Sequence, residues 1–284
     1  MSFDLYQEIT NRIMSQLEAG VVPWHKPWAV SGMALSHVNG KPYSLLNQLM
    51  LGEPGEYVTF KQCQAEGGKI KKGAHSRMVV FWKMLNRPVK NKDGSEKMTA
   101  EGKPMFETIP YLQYYNVFHI NDCEDIKPKH PLPEGAEVHA DAQAILDGYV
   151  ARSGVRLVHM EQDKAYYTPA LDKIVLPLRE QFKSTGEYYA TAFHEATHST
   201  GHPSRLNRLD KQAHFGNEEY SKEELVAEIG SATLVAKAGL ETERTFDNSV
   251  AYIQSWLKAL KNDKRMIVSA AGKAEKAVNL ILGV

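Results

Sequence analysis

The stretch His194-Glu195-Ala196-Thr197-His198 decides how the second half of the chain is read. An α-helix turns about 100° per residue, so side chains four apart stand one above the other on a single face. Both imidazoles can then reach one metal ion. Glu195 beside them can handle a water on that ion without being a ligand itself. A chance match on a solvated helix has the same letters, so the flanks must supply the helix. Ser184-Thr185-Gly186-Glu187 has the S-x-x-E form of a capping box, and Tyr188, Tyr189, Ala192, Phe193 and Ala196 offer packing. Gly201 and Pro203 end the run.

Two histidines leave one protein ligand to find. A third histidine in the spacing H-E-x-x-H-x-x-G-x-x-H fails: Gly201 is in place, but the histidine position holds Ser204, and His202 comes two residues early. The alternative is an acid on a following helix. Ser221 to Ala232 is such a helix, running to about Lys237 and closed by Gly239. Glu224 and Glu228 lie four apart on one face, and either can meet the histidines. Glu224 also reads as the third residue of a second capping box begun by Ser221. Tyr220, just ahead, either assists an oxyanion or simply packs.

Upstream of the pentapeptide, Val138 to Ser153 is helical by spacing. Short strands are predicted at Val155–His159, Ala165–Thr168 and Asp172–Pro177. Pro177 predicts an edge strand for the last of these, and an open edge there is where an extended peptide can pair. Near the end, Val250, Ile253, Trp256, Leu257 and Leu260, then Ala270, Ala274, Ala277, Val278 and Ile281, give two apolar helix faces.

The first half opens with Leu5, Ile9, Ile13 and Leu17 at i+4 steps, between a capping Asp4 and a terminating Gly20. Pro23-Trp24-His25-Lys26-Pro27-Trp28 follows, and its prolines exclude a helix. The two indoles either plug the core or stack on unpaired bases. From Gly67 to Lys92, Lys69, Lys71, Lys72, Arg77, Lys83, Arg87, Lys90 and Lys92 occur with no acidic residue. Val79-Val80-Phe81-Trp82 within it reads as a strand, as does the aromatic run Tyr111 to Ile120. Cations following phosphates, with rings facing bases, suit a single nucleic-acid strand. A solvated lysine-rich loop beside a core strand has the same composition. Lys127 to Gly135 holds three prolines and a glycine in nine residues, which predicts an extended linker. The predicted division is 1–126, 127–137 and 138–284.

With 284 residues, the chain can bury a core without staples. Thirty-four basic residues balance thirty-four acidic ones, so a nucleic-acid argument must be local. Cys63 and Cys123, in no C-x-x-C pattern, read as buried thiols in a reducing cytosol. No signal peptide and no membrane span is evident, and a cytoplasmic, bacterial location is expected.

Several motifs of the first half together resemble the N-terminal domain of ArdC-type antirestriction proteins, a domain type that also occurs in TraC-type plasmid primases. They are the Trp24–Trp28 loop, Phe60-Lys61-Gln62, Gly67-Gly68-Lys69-Ile70-Lys71-Lys72-Gly73, Val80-Phe81-Trp82-Lys83 and Tyr115-Asn116-Val117-Phe118. The resemblance covers roughly residues 3–125 and implies single-stranded DNA binding, with Trp24, Lys26, Trp28, Lys69, Lys71, Lys72, Arg77 and Lys83 as candidate contacts. Glu224-x-x-Ala227-Glu228 resembles the acid motif of gluzincin-like peptidases. That resemblance implies Glu224 as third ligand and Glu228 as the acid bonding the far nitrogen of a ligand histidine. The roles of the two acids can also be exchanged.

Helix, strands, metal helix and acidic helix together resemble the zincin fold. With Arg205-Leu206-Asn207-Arg208-Leu209 they fit the second domain of the same ArdC-type proteins. The expected architecture is therefore α+β in two domains, a single-stranded DNA-binding domain and a zincin-like metallopeptidase domain. The resemblance implies Zn²⁺, or another divalent ion such as Mn²⁺, on His194, His198 and Glu224, with Glu195 as the catalytic base. It also implies protection of incoming plasmid or phage DNA from restriction. A protein substrate, either a restriction component or a protein bound to DNA, is a possible second partner. The alternatives are a DNA-shielding protein whose metal site is dispensable, and a protease acting on DNA-bound proteins.

Overall fold

Asp4 starts the first helix, α1 (Leu5–Glu18), by accepting the Gln7 N–H at 3.2 Å, and Gly20 at φ +77° lets the chain leave it. Ile9, Ile13 and Leu17, one turn apart, are buried. The computed structural model describes residues 3–25, 33–130, 142–209, 218–240 and 256–284.

The first half builds a four-stranded sheet from β1 (Ala34–Ser36), β2 (Gly55–Val58), β4 (Arg77–Pro88) and β5 (Phe106–His119), in the order β1-β2-β5-β4. β1 and β2 are parallel; the other pairs are antiparallel. α2 (Leu45–Leu51) lies against β4, where the Asn47 side chain bonds both the N–H and the C=O of Val80 at 2.8 Å. A second, two-stranded sheet of β3 (Lys69–Ile70) and β6 (Cys123–Glu124) sits with α3 (Phe60–Ala65). It buries Cys63 and Cys123 as free thiols in one small cluster.

β4 and β5 stay paired from Arg77↔Val117 to Pro88↔Phe106. Past Phe81 most of their residues are exposed, so the hairpin leaves the core as an arm. Pro110 fits there because that part of β5 is paired with β4 alone. Lys92-Asp93-Gly94 turns in the connection beyond the arm, as its composition predicts.

The second half contains α4 (Ala142–Ser153), β7 (Arg156–Met160), β8 (Tyr166–Thr168), β9 (Lys173–Pro177), α5 (Thr185–Ser199), α6 (Glu218–Lys237), a helical stretch over 256–262, and α7 (Met266–Leu282). The α+β class expected from the sequence is observed. The three strands are ordered β7-β9-β8, which corrects the expectation that Asp172–Pro177 is an edge strand. β9 is central, parallel to β7 and antiparallel to β8. Pro177 is tolerated because β8 pairs β9 only over Lys173–Val175, and the proline lies beyond that ladder.

The two halves share one core. Its largest cluster joins Ile9, Ile13, Leu17, Trp24, Leu46 and Leu49 to Leu225, Val226, Ile229, Trp256, Leu260 and α7. Thr10 adds a hydrogen bond to the Lys264 carbonyl at 2.8 Å, and Asp4 pairs with Lys264. Trp24 is 1% exposed and meets Trp256 edge-on at 5.1 Å. It presents no face to a base, so the reading of Trp24 as a DNA contact is corrected to that of a core plug. Lys26 and Trp28 lie outside the described residues. So do 131–137 of the predicted linker; its described start, 127–130, is held by the buried Glu56, which accepts the Lys129 and His130 N–H groups.

A core spanning both halves predicts one cooperative unfolding transition. Trp24→Ala should lower stability by about 3–5 kcal/mol, the cost of emptying a large aromatic site. Denaturant unfolding followed by far-ultraviolet circular dichroism checks this. Two separate transitions, or a variant as stable as the parent, would contradict the shared core.

Candidate metal centre and nucleic-acid interface

α5 forms as the sequence predicts. The Ser184 hydroxyl accepts the Glu187 N–H at 3.1 Å, and the Glu187 carboxylate accepts the N–H of Lys183 rather than that of Ser184. The helix presents His194 and His198 on one face, ring centroids 4.7 Å apart. α6 already runs from Glu218, so Ser221 and Tyr220 lie inside the helix. Ser221 therefore cannot be its N-cap, and Glu224 is not the third residue of a capping box.

The two helices approach closely at Gly230. A Cβ there would meet Thr197 Cγ2 at 2.7 Å, so only glycine permits this crossing. Two turns before Thr197, the Ala190 carbonyl accepts the Ser231 hydroxyl at 2.6 Å. The approach brings Glu224 between the rings. Its carboxylate oxygens lie 3.5 Å from His194 Nε2 and 3.4 Å from His198 Nε2, and the two Nε2 atoms are 3.1 Å apart. A tetrahedral ion with bonds of ~2.1 Å requires ligand separations of about 3.4 Å. His194, His198 and Glu224 could therefore hold such an ion. Glu195, buried, occupies the position between the histidines in sequence.

Each ring has a further acid on its other nitrogen. His194 Nδ1 lies 3.4 Å from Glu228, and His198 Nδ1 lies 3.2 Å from Glu223. Sequence reasoning missed Glu223. Arg208 holds it with two nitrogens, at 2.9 and 3.1 Å, while bonding Thr200 and the Thr197 carbonyl at the end of α5. Arg205 pairs with Asp172 at the start of β9 and bonds the Ser199 carbonyl at 2.9 Å. No signal in the sequence alone marks Glu223, because its pairing with Arg208 and His198 is tertiary.

Electrostatics follow from burial. Desolvation disfavours charge on both imidazoles, but the carboxylates outweigh it. Hydrogen bonds donated to Glu224 and Glu228 push His194 up to about 9, and those donated to Glu223 and Glu224 push His198 up to about 10. Glu224 is driven the other way: burial raises it, and the two rings pull it well below the carboxylate range.

The candidate DNA contacts fall on two sheets. Lys69 and Lys72 are exposed around β3, and Lys71 bonds the Asn121 carbonyl at 2.7 Å. Arg77 is committed to Glu53 and the Tyr57 hydroxyl, both at 2.7 Å. Lys83 is exposed on β4 beside uncovered rings: Phe81, Trp82, Tyr111, Tyr114 and Tyr115.

In protein prepared without metal, the charged pair stabilises the fold. The contribution from each raised histidine is complete below the unfolded value near 6.5 and is lost as pH climbs through about 9 to 10. The lowered Glu224 contributes above its unfolded value of 4.5. Chelated protein should therefore lose melting temperature between pH 6.5 and 9.5 more steeply than a His198→Gln variant. Parallel slopes in thermal melts would contradict the ring–carboxylate network.

Both halves of the chain match known families. Residues 3–118 match the N-terminal domain of anti-restriction factor ArdC, and residues 144–273 match a zincin-like metallopeptidase family. Two Escherichia coli proteins called DNA primase TraC are 35% and 33% identical over 98% of this chain. The chain spans only 27% and 20% of their length. A Sinorhizobium fredii protein, y4eC, is 30% identical over 96% of this chain and 90% of its own. Among solved structures, Mn(II)-bound ArdC from the R388 plasmid is 36% identical, covers 99% of this chain and 98% of its own, and superposes with a TM-score of 0.76. Its metal-free form gives 0.74. Among the described residues, no helix is long and apolar enough to cross a membrane. With a relative this similar along nearly its whole length, the chain belongs to the ArdC family of antirestriction proteins.

Proposed function

We propose that this chain binds single-stranded DNA through its N-terminal half and carries a zinc-dependent peptidase centre in its second half. Together these protect incoming plasmid or phage DNA from restriction in the cytoplasm. The observation that carries the peptidase reading is the convergence of His194, His198 and Glu224 on one point, with the buried Glu195 next to His194 in sequence on the same helix. Charge supports it. Glu223, Glu224 and Glu228 gather around two imidazoles, with Arg208 as the guanidinium among them. With the rings neutral, as metal ligands are, these buried carboxylates call for a further cation. The Mn(II) in the R388 relative shows that a divalent ion is compatible with this fold; the nitrogen-and-oxygen donor set suits zinc equally.

In this reading His194, His198 and Glu224 hold the ion. When bound, it supplies Lewis acidity, drawing the pKa of a water towards ~7 and polarising a peptide carbonyl. Glu195 accepts the proton from that water and returns it to the leaving amine. Glu228 and Glu223 accept hydrogen bonds at the Nδ1 atoms and so keep each Nε2 lone pair aimed at the shared point. Arg208 keeps Glu223 from turning away. The substrate is either a restriction component or a protein bound to DNA.

A second reading is favoured by the TraC relatives, in which this segment is a quarter of a chain called a DNA primase. There the DNA-binding role carries the function and the metal centre is dispensable.

Glu195→Gln separates the two readings. Hydrolysis of casein should fall at least about 100-fold, the usual contribution of a positioned general base. Metal content by plasma mass spectrometry should equal that of the parent. Antirestriction in cells should fall with hydrolysis; full antirestriction in this variant would hand the function to the second reading. DNA binding has its own test. Affinity for oligo-dT should decrease with salt, and Lys83→Ala should shallow the slope of log K against log[salt] by ~0.7 for one lost phosphate contact. Salt-independent or absent binding would contradict the DNA reading.

A further inference from the structure

β4 leaves the core at an abrupt point. The Asn47 side chain bonds both backbone groups of Val80, closing the outer edge of the strand there. The next two residues, Phe81 and Trp82, point to opposite faces and remain 40% and 52% exposed. Beside them lies a cleft of about 440 Å³, within the range of small-ligand pockets. Its aromatic lining is Tyr43, Phe81, Trp82 and Tyr115, with Val80 and Leu112 beneath, and its far wall is α7. Phe81 leans on Tyr115 at 5.6 Å, so the rings are fixed relative to each other while their outer faces stay open.

α7 supplies the most informative residue. Gly272 lies inside this helix, where glycine costs stability relative to alanine. Packing does not demand it: among the described residues a Cβ at Gly272 would meet nothing within 4 Å, whereas a Cβ at Gly230 would strike Thr197. Gly272 instead keeps the cleft open. The charges around it select the occupant. Lys41 lines the rim and Lys83 follows two residues after Phe81 on the same face, both exposed. The carboxylate of Glu275 in the wall accepts the Leu45 N–H at 3.2 Å, which offsets its charge at the start of α2.

We infer that this cleft, closed on one side by the last helix of the chain, is a pocket for one unpaired base of a DNA strand. Trp82 stacks on the base, Phe81 stands on the other face of the strand against Tyr115, and Lys41 and Lys83 meet the flanking phosphates. The inference rests on the single-stranded DNA reading above and gives it an address that the acid-free stretch alone did not. It also makes the site depend on both halves of the chain. Phe81 and Trp82 come from the first, and Gly272 comes from the second.

Gly272→Phe fills the pocket from a helix that tolerates the change, and Trp82→Ala removes a stacking face. In fluorescence anisotropy with a dT oligomer of about 12 nucleotides, each should weaken binding by on the order of tenfold. Gly272→Ala should bind like the parent. Thermal melts of Gly272→Phe should match or exceed the parent, and quenching of tryptophan fluorescence by the oligomer should shrink in a Trp82→Phe variant. Parent-like affinity in both Gly272→Phe and Trp82→Ala overturns the pocket but leaves DNA binding standing. Absence of salt-dependent binding in the parent overturns both. Loss of affinity for a casein peptide but not for DNA in the same variants would assign the cleft to protein instead.

Discussion

Gly230 stands where α6 crosses α5, and the missing side chain sets how near the two helices come. Everything at the candidate metal centre depends on that distance. With the α6 backbone against the Thr197 side chain, a glutamate six residues earlier on α6 reaches the point shared by two histidine rings. The hydrogen bond from Ser231 to Ala190 then fixes the register. Any branched residue at 230 would push the helices apart and move Glu224 out of the 3.1–3.5 Å triangle that it forms with the rings.

Close approach also concentrates charge. A buried carboxylate is tolerated only when it is paired and hydrogen-bonded. Glu223 satisfies this with Arg208 and His198, and Glu228 with His194. Glu224 depends on the rings alone among its described partners, and each ring is already engaged at its other nitrogen. The arrangement leaves the inward-facing atoms with an unmet requirement for positive charge. Without metal, protons on the rings meet it, which is why both are held above the ordinary histidine range. A divalent ion meets it better, displacing those protons as it enters.

Much of this was legible in the sequence, and the parts that were not have physical reasons. The pentapeptide, its capping serine and the acidic helix all depend on local periodicity, which sequence displays directly. Glu223 was invisible as a partner because it lies about 100° round the helix from Glu224. It faces His198 only because α5 and α6 cross as they do, and its arginine arrives from a separate turn. Trp24 sits in a proline-flanked loop whose indoles the sequence leaves open between core plug and base stacking. Its partner Trp256 is far away in sequence, so only the tertiary fold reveals that the indole is a core residue. Pro177 misled because edge and centre are properties of neighbouring strands. β9 is central, but its proline projects past the end of β8. The acid-free stretch was real as composition, yet the chain divides it between two sheets, with Lys69 on β3 and Lys83 on β4.

α6 is the element that makes the two halves one structure. One face carries Glu224 and Glu228 to the histidines. The other places Leu225, Val226 and Ile229 in the same cluster as Trp24, Ile9 and Leu46. A helix that belongs to both cores cannot unfold with one half and leave the other intact. Anything that binds the native metal centre therefore stabilises the whole unit by RT ln(1 + [L]/Kd), including the sheet that carries Trp82 and Lys83. Linkage of this kind needs no second conformation and no signal passing along the chain. It follows from the apolar cluster that α6 shares with α1 and Trp24. The two halves of the proposed function, holding DNA and holding a metal, are thus stabilised together by the same apolar contacts.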